Sequence, residues 1–267
     1  ALAQANVRLG NPEEAAALEI TLVGAELEAL ADTTVCLAGA EAEAELNGRP
    51  VAFEETVPVR RGDRLRVGRV RGGMRTYLAV VGGFAPAGRF EISQRLRAGD
   101  LLLRPPVSSP PRVPASPRPA LRSSASLRSA SPRVSDQGPS ETEDTVVRVV
   151  LDSRQVPFPR EGVSTFLSST YRVSASSDRR GIRLEGEPVA LSGTPDIPPE
   201  GTPLGGIQVA RDGVPIVLGP DRPVTGGYAR IATVIHADFP LLAQRPPGAP
   251  LRFVAVPLAE ALAARVG

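Results

Sequence analysis

Lysine is absent: the 31 basic residues of this 267-residue chain are all arginine. That excludes a Walker A loop, whose lysine sits on the phosphates, and a Schiff-base lysine. It also excludes biotin carried covalently by this chain, because biotin is attached through a lysine amine. Tryptophan is absent too, and aromatic residues make up only 4%, poor material for stacking single-stranded nucleic acid. A net charge of +2 with a pI near 9.2 adds no argument for nucleic acid. One Cys rules out a disulfide framework, and one His beside it leaves no usual zinc set, so no metal is expected. No run reaches the roughly 18 consecutive apolar residues of a membrane helix. The first nine residues lack a basic segment followed by an apolar one, so no signal peptide is read there and a cytoplasmic location is expected. The chain does not open with Met, which leaves room for an upstream segment.

What is abundant is turn chemistry: 26 Gly and 28 Pro, about one residue in five, so long helices should be few. Composition divides the chain into three. Residues 105–145 form a Pro/Ser/Arg stretch with almost no apolar periodicity, expected to be a disordered linker. Residues 1–104 begin with an expected helix tail at 12–17. The alternating Leu18-Glu19-Ile20-Thr21-Leu22 follows, then strands around 34–37, 64–67 and 74–81, with an Asn47-Gly48 hairpin between them. Residues 146–267 should hold strands near 146–151, 171–175, 207–209, 215–218, 231–235 and 251–256. Short helices are expected at 161–168 and 257–265. The pattern R-x-G-D-x-L occurs at Arg60 and again at Arg97, a turn signal in which Asp and Gly supply the local chemistry. Short strands between frequent turns read as a mainly β protein of barrels or sandwiches.

Two constellations suggest binding. A strand from Gly206, a turn at Asp212-Gly213, a second strand and a polar loop place Gln208, Asp221, Arg222, Thr225, Gly226, Gly227 and Tyr228 at one rim. Paired glycines let backbone amides approach a ligand, and Arg222 could match an anion. The bland alternative is a sharp turn beside a solvated ion pair. The second constellation is Asp178, Arg179, Arg180 and Arg183, suited to carboxylate recognition by a planar fork of donors, or merely a charged loop. His236 is either a base oriented by Asp238 or an ordinary strand-end histidine. Cys36 reads as a small core residue.

Several of these segments together resemble one family. Gly206-Ile207-Gln208-Val209 through Thr225-Gly226-Gly227-Tyr228-Ala229-Arg230 is similar to a signature of the KipA-like proteins. These are also described as the C-type subunit of 5-oxoprolinase, allophanate hydrolase subunit 2 or the urea-amidolyase type of biotin-dependent carboxyltransferase domain. Phe166-Leu167-Ser168-Ser169 with residues 177–186, and in the first half Asn11-Pro12-Glu13 and Arg75 to Gly83, resemble further signatures. The resemblance implies two cyclophilin-like β-barrel halves joined by the linker, the first of them N-terminally incomplete. It implies a small-molecule substrate and a KipI-like, B-type partner. With a lactam hydrolase as the A-type partner, such pairs convert 5-oxoproline to glutamate at the expense of ATP. In the urea-carboxylase branch the same domains move a carboxyl group from carboxybiotin to urea. A non-enzymatic role antagonising a KipI-like kinase inhibitor is the third expectation. ATP or carboxybiotin would come from partner chains. The sequence departs from the family pattern at Arg230, where Lys is typical, and after Gly82-Gly83, where Gly-Ser-Arg-Ser-Thr is missing.

Overall fold

The computed structural model describes residues 1–85, 95–104, 144–153 and 157–264. It divides into two units, residues 1–138 and 139–267. The expected linker, residues 105–145, lies outside the described residues except for Asp144 and Thr145, and Thr145 already opens a strand.

Unit 1 opens with helix α1 (Leu2–Arg8). The expected helix at 12–17 is not formed: Pro12 and the turn at Glu13-Glu14 break the chain there. Its strands are β1 (Leu18–Thr21), β2 (Glu26–Glu28), β3 (Thr33–Leu46), β4 (Arg49–Pro50), β5 (Thr56–Val59) and β6 (Arg64–Val80). The long β3 and β6 run antiparallel down the middle. β1 and β2 pair with β6, and β4 and β5 with β3. Two separate strands were expected across residues 64–81. One strand of 17 residues runs through instead, with Gly72 at φ 64° and register shifts in its ladder to β3 absorbing the irregularity. The described strands of this unit form a six-stranded sheet without ring closure.

Alternation explains the long pair. In Ala40-Glu41-Ala42-Glu43-Ala44-Glu45 the alanines face a core of Leu37, Val67, Val70 and Leu78, while the glutamates face water opposite arginines of β6. Arg66 lies across from Glu45, and Arg71 meets Glu43 at 2.6 Å. Exposed pairs of this kind contribute about 0–1 kcal/mol each, and their larger role is to fix register. Asn47 (φ 51°) and Gly48 (φ 78°) close the β3–β4 hairpin, the two positive angles a tight mirror-image turn needs. The repeated R-x-G-D segments fold alike. Asp63 Oδ2 accepts from Arg60 N at 2.7 Å, Asp100 Oδ2 from Arg97 N at 2.7 Å, and both glycines have φ near 90°.

Cys36 packs under α1 with Ala5, Leu9 and Ala79. Burial pushes its thiol up from 9.0 to about 11, with Arg8 opposing weakly. Between those values the unfolded chain has lost the proton while the folded chain keeps it. Stability should therefore fall as pH rises through that window. Urea unfolding of unit 1 at pH 8 and pH 10.5 checks this, and Cys36→Ala should flatten the difference.

Unit 2 contains β7 (Thr145–Leu151), α2 (Arg160–Ser168), β8 (Tyr171–Val173), β9 (Gly181–Glu185), β10 (Asp196–Gly201), β11 (Gly206–Val209), β12 (Pro215–Leu218), β13 (Thr225–Tyr228), β14 (Arg230–Val234), α3 (Phe239–Ala243), β15 (Pro250–Ala255) and α4 (Leu258–Ala263). Seven strands close a barrel in the order β11-β12-β9-β8-β15-β7-β14, with β15 and β7 parallel. Inward residues alternate along each strand: Val147 and Val149 on β7, Leu251 and Phe253 on β15, Tyr171 and Val173 on β8. Helix α2 packs on β15, where Phe166 stacks on Phe253 with ring centroids 4.7 Å apart. Strands β10 and β13 form a separate two-stranded ribbon. Of the two expected barrels, the described strands draw this one. No helix among the described residues is long and apolar enough to cross a membrane.

Candidate functional site

The segment 225–228, expected as a polar loop, is strand β13. Thr225 pairs with Gly201, Gly226 with Glu200 and Tyr228 with Asp196. Gln208, on β11, donates from Nε2 to the Tyr228 carbonyl at 3.0 Å, tying the ribbon to the barrel. A Cβ on Gly226 would come within 2.8 Å of that amide, so the strand needs its glycine to lie this close. Gly227 differs: an added Cβ would meet only the Ile197 carbonyl at 3.4 Å. Gln208, Gly226, Gly227 and Tyr228 are thus brought together, with Thr225 exposed beside them.

Asp221 and Arg222 serve the frame of the rim. Arg179 grips Asp221 with two donors, Nε at 2.8 Å and Nη2 at 3.1 Å. Arg222 turns its guanidinium to backbone carbonyls, Nε to Thr202 O at 2.7 Å and Nη1 to Gly219 O at 3.4 Å. Asp178 accepts from the amides of Arg180 and Gly181 at 2.8 and 3.2 Å, closing the turn before β9. Arg183 is exposed on β9 opposite Ile216. The basic constellation therefore does not converge on one point. Asp238, the partner considered for His236, is buried and bound to Arg148 through Oδ1 at 2.7 Å and Oδ2 at 3.0 Å. His236 is exposed in the turn after β14.

Sequence reasoning did not find a further buried polar contact of this region. Arg230, the first residue of β14, places Nη2 and Nε 2.8 and 3.1 Å from Asp152 Oδ2. Its Nη1 lies 3.6 Å from Glu200 on β10. The side chains are 19%, 7% and 25% exposed for Arg230, Asp152 and Glu200, so the bridge is well withdrawn from water. It links the ribbon to the end of β7. Beside it opens a cleft of about 450 Å³ whose lining includes the polar Asp152, Ser153, Arg230, Thr233 and His236 and the aliphatic Leu151, Val234, Leu258 and Leu262.

The chain matches, over residues 1–255, the family described as the carboxyltransferase domain, subdomains A and B. It belongs to that family. This carboxyltransferase domain is 34% identical to the C-type subunit of Escherichia coli 5-oxoprolinase over 99% of its own length and 83% of that protein. It is 28% identical to the urea amidolyase of Lachancea kluyveri over 94% of its length, but only 15% of that protein. The crystal structure of Kluyveromyces lactis urea carboxylase shares its fold with a TM-score of 0.79 at 24% identity; the match covers 98% of this chain and about a quarter (24%) of that one.

Proposed function

We propose that this carboxyltransferase domain is the C-type subunit of an ATP-dependent 5-oxoprolinase, working with a lactam-hydrolase (A-type) partner and a KipI-like (B-type) partner. The observation that carries this reading is extent: the Escherichia coli relative is matched over 83% of its own length, whereas the urea amidolyase is matched over a 15% slice. A chain without lysine fits a division of labour in which ATP is handled by a partner chain. In this reading the substrate sits against the ribbon, where Gly227 leaves its backbone approachable and Gln208 and Tyr228 orient the ligand. Thr225 borders the same place. Asp178, Arg179, Arg183, Asp221 and Arg222 shape the rim around it. Unit 1 would be the companion half, the first of the two cyclophilin-like halves that the family resemblance implies.

Reconstitution with the A-type and B-type partners tests the reading by 5-oxoproline-dependent ATP hydrolysis and glutamate formation. Gly227→Val should fold normally, since its new side chain meets little and β-branched residues suit a strand. Turnover should nevertheless drop at least about tenfold, because the side chain blocks backbone approach. Full turnover in a folded Gly227→Val removes the ribbon from the site.

A second reading, a urea-type carboxyltransferase fed by a biotin carrier on another chain, draws on the Lachancea kluyveri relative. Urea-dependent decarboxylation of a carboxybiotinyl carrier, with no turnover of 5-oxoproline, would favour it.

A further inference from the structure

Helix α4 leaves the barrel just after Val256 N donates to Val149 O at 2.8 Å, with Pro257 as its N-cap. Six residues are too few to hold a helix together in water, so α4 depends on what it packs against. None of its residues is buried. Leu258, Ala261 and Leu262 are spaced i, i+3 and i+4 and so share one face. All three line the cleft of about 450 Å³ beside Arg230. The two leucines are nevertheless 61% and 57% exposed. An apolar stripe that borders a cleft and is still mostly in water has burial left to gain. The same cleft explains why an empty site does not take that gain. Its lining includes the exposed Ser153 and His236 and the half-buried Thr233. A helix drawn down on them would strip their water with nothing to replace it, which offsets what the leucines return.

We propose that α4 is a lid, frayed and open in the ligand-free chain, that closes Leu258 and Leu262 over the cleft once a ligand occupies it. A ligand that takes over the hydrogen bonds of the displaced water removes the cost of closing, and the leucines then gain by covering it. The hinge is built for the movement. Pro257, at φ −63°, has no N–H, so no hydrogen bond donated by that residue has to break when the helix swings. Closure orders the helix and shuts water out of the cleft, and it assigns no chemistry to α4 itself. The open state follows from α4 alone; the closing step, tested with 5-oxoproline, rests on the function proposed above.

Hydrogen exchange read by mass spectrometry tests both states. In the full chain alone, amides of residues 259–263 should be protected less than about tenfold, and those of Leu251 to Ala255 at least about a hundredfold more. Equal protection of α4 and β15 overturns the lid. In the complex reconstituted with the A-type and B-type partners, saturating 5-oxoproline should slow exchange in α4 by at least about tenfold relative to the same complex without it. Turnover of 5-oxoproline with no added protection in α4 overturns the lid and leaves the reaction standing. No turnover at all sinks the reaction, and exchange in the free chain still decides the lid. Replacing both leucines, Leu258→Ser with Leu262→Ser, should barely move the melting temperature, because both side chains are mostly exposed. The KM for 5-oxoproline should rise at least about tenfold. Leu258→Met with Leu262→Met keeps the stripe apolar and should recover most of that loss. An unchanged KM in the folded serine variant would also overturn the lid.

Discussion

Replacing Arg230 by alanine should cost unit 2 on the order of 3 kcal/mol. The cost is not that of a surface ion pair. Asp152 is 7% exposed, and the substitution removes two donors from its Oδ2, at 2.8 and 3.1 Å. A carboxylate left in that position must remain charged without those two donors or take up a proton, and either is unfavourable. Arg230→Lys should recover part of the loss, because one ammonium reaches one carboxylate but does not reproduce the planar fork. The same bridge reaches Glu200, whose neighbour across the ribbon is Gly226. Amides of Asp196–Gly201 and Thr225–Tyr228 should therefore exchange faster in Arg230→Ala, beyond the rise global destabilisation explains. Urea unfolding and hydrogen exchange check the two statements. A loss below about 1 kcal/mol with unchanged ribbon protection would reduce the bridge to an ordinary surface contact.

Local chemistry was readable from the chain, and long-range pairing was not. Short runs of strand-forming residues between turn signals placed most barrel strands within a residue or two, Val146 to Leu151 and Leu251 to Val256 among them. Asn47-Gly48 and the two R-x-G-D turns were legible for the same reason: their conformation is set within four residues. Most of the failures need a partner. Strand β10 contains Pro198 and Pro199 and reads as a breaker, yet it forms a ribbon on a sheet edge where missing N–H groups are tolerated. Gly226-Gly227 reads as a turn until β10 is laid beside it. The run Ala40 to Glu45 carried a clear period of two and could have been read as a strand from its alternation alone. At the site, Asp152 and Arg230 are 78 residues apart, and no local pattern joins them. The rim arginines were visible as residues but not as contacts: Arg222 looks like an anion receptor in the sequence and faces two backbone carbonyls in the fold.

Gly219→Ala separates a rim that frames from a rim that binds. A Cβ built at Gly219 falls 2.2 Å from the Arg179 carbonyl oxygen and 2.9 Å from its carbon, closer than any real side chain comes. These are backbone atoms, so no rotamer relieves the clash, and the loop or the lead-in to β9 has to move. Two backbone hydrogen bonds lie in that seam, Gly219 N to Arg180 O at 2.9 Å and Asp221 N to Arg179 O at 3.0 Å. The ion pair between Arg179 and Asp221 spans it. Overpacking with displaced backbone costs about 1–3 kcal/mol, and loss of the seam's hydrogen bonds places Gly219→Ala at the upper end of that range. Its signature is non-additivity. In the parent protein Asp221→Ala should destabilise by about 1 kcal/mol, as a half-exposed bidentate pair is lost. In the Gly219→Ala background the same change should cost almost nothing, because the loop has already left its partner. A full and additive loss in the double variant would mean that the seam yields without parting, and that the pair of Arg179 and Asp221 tolerates the shift.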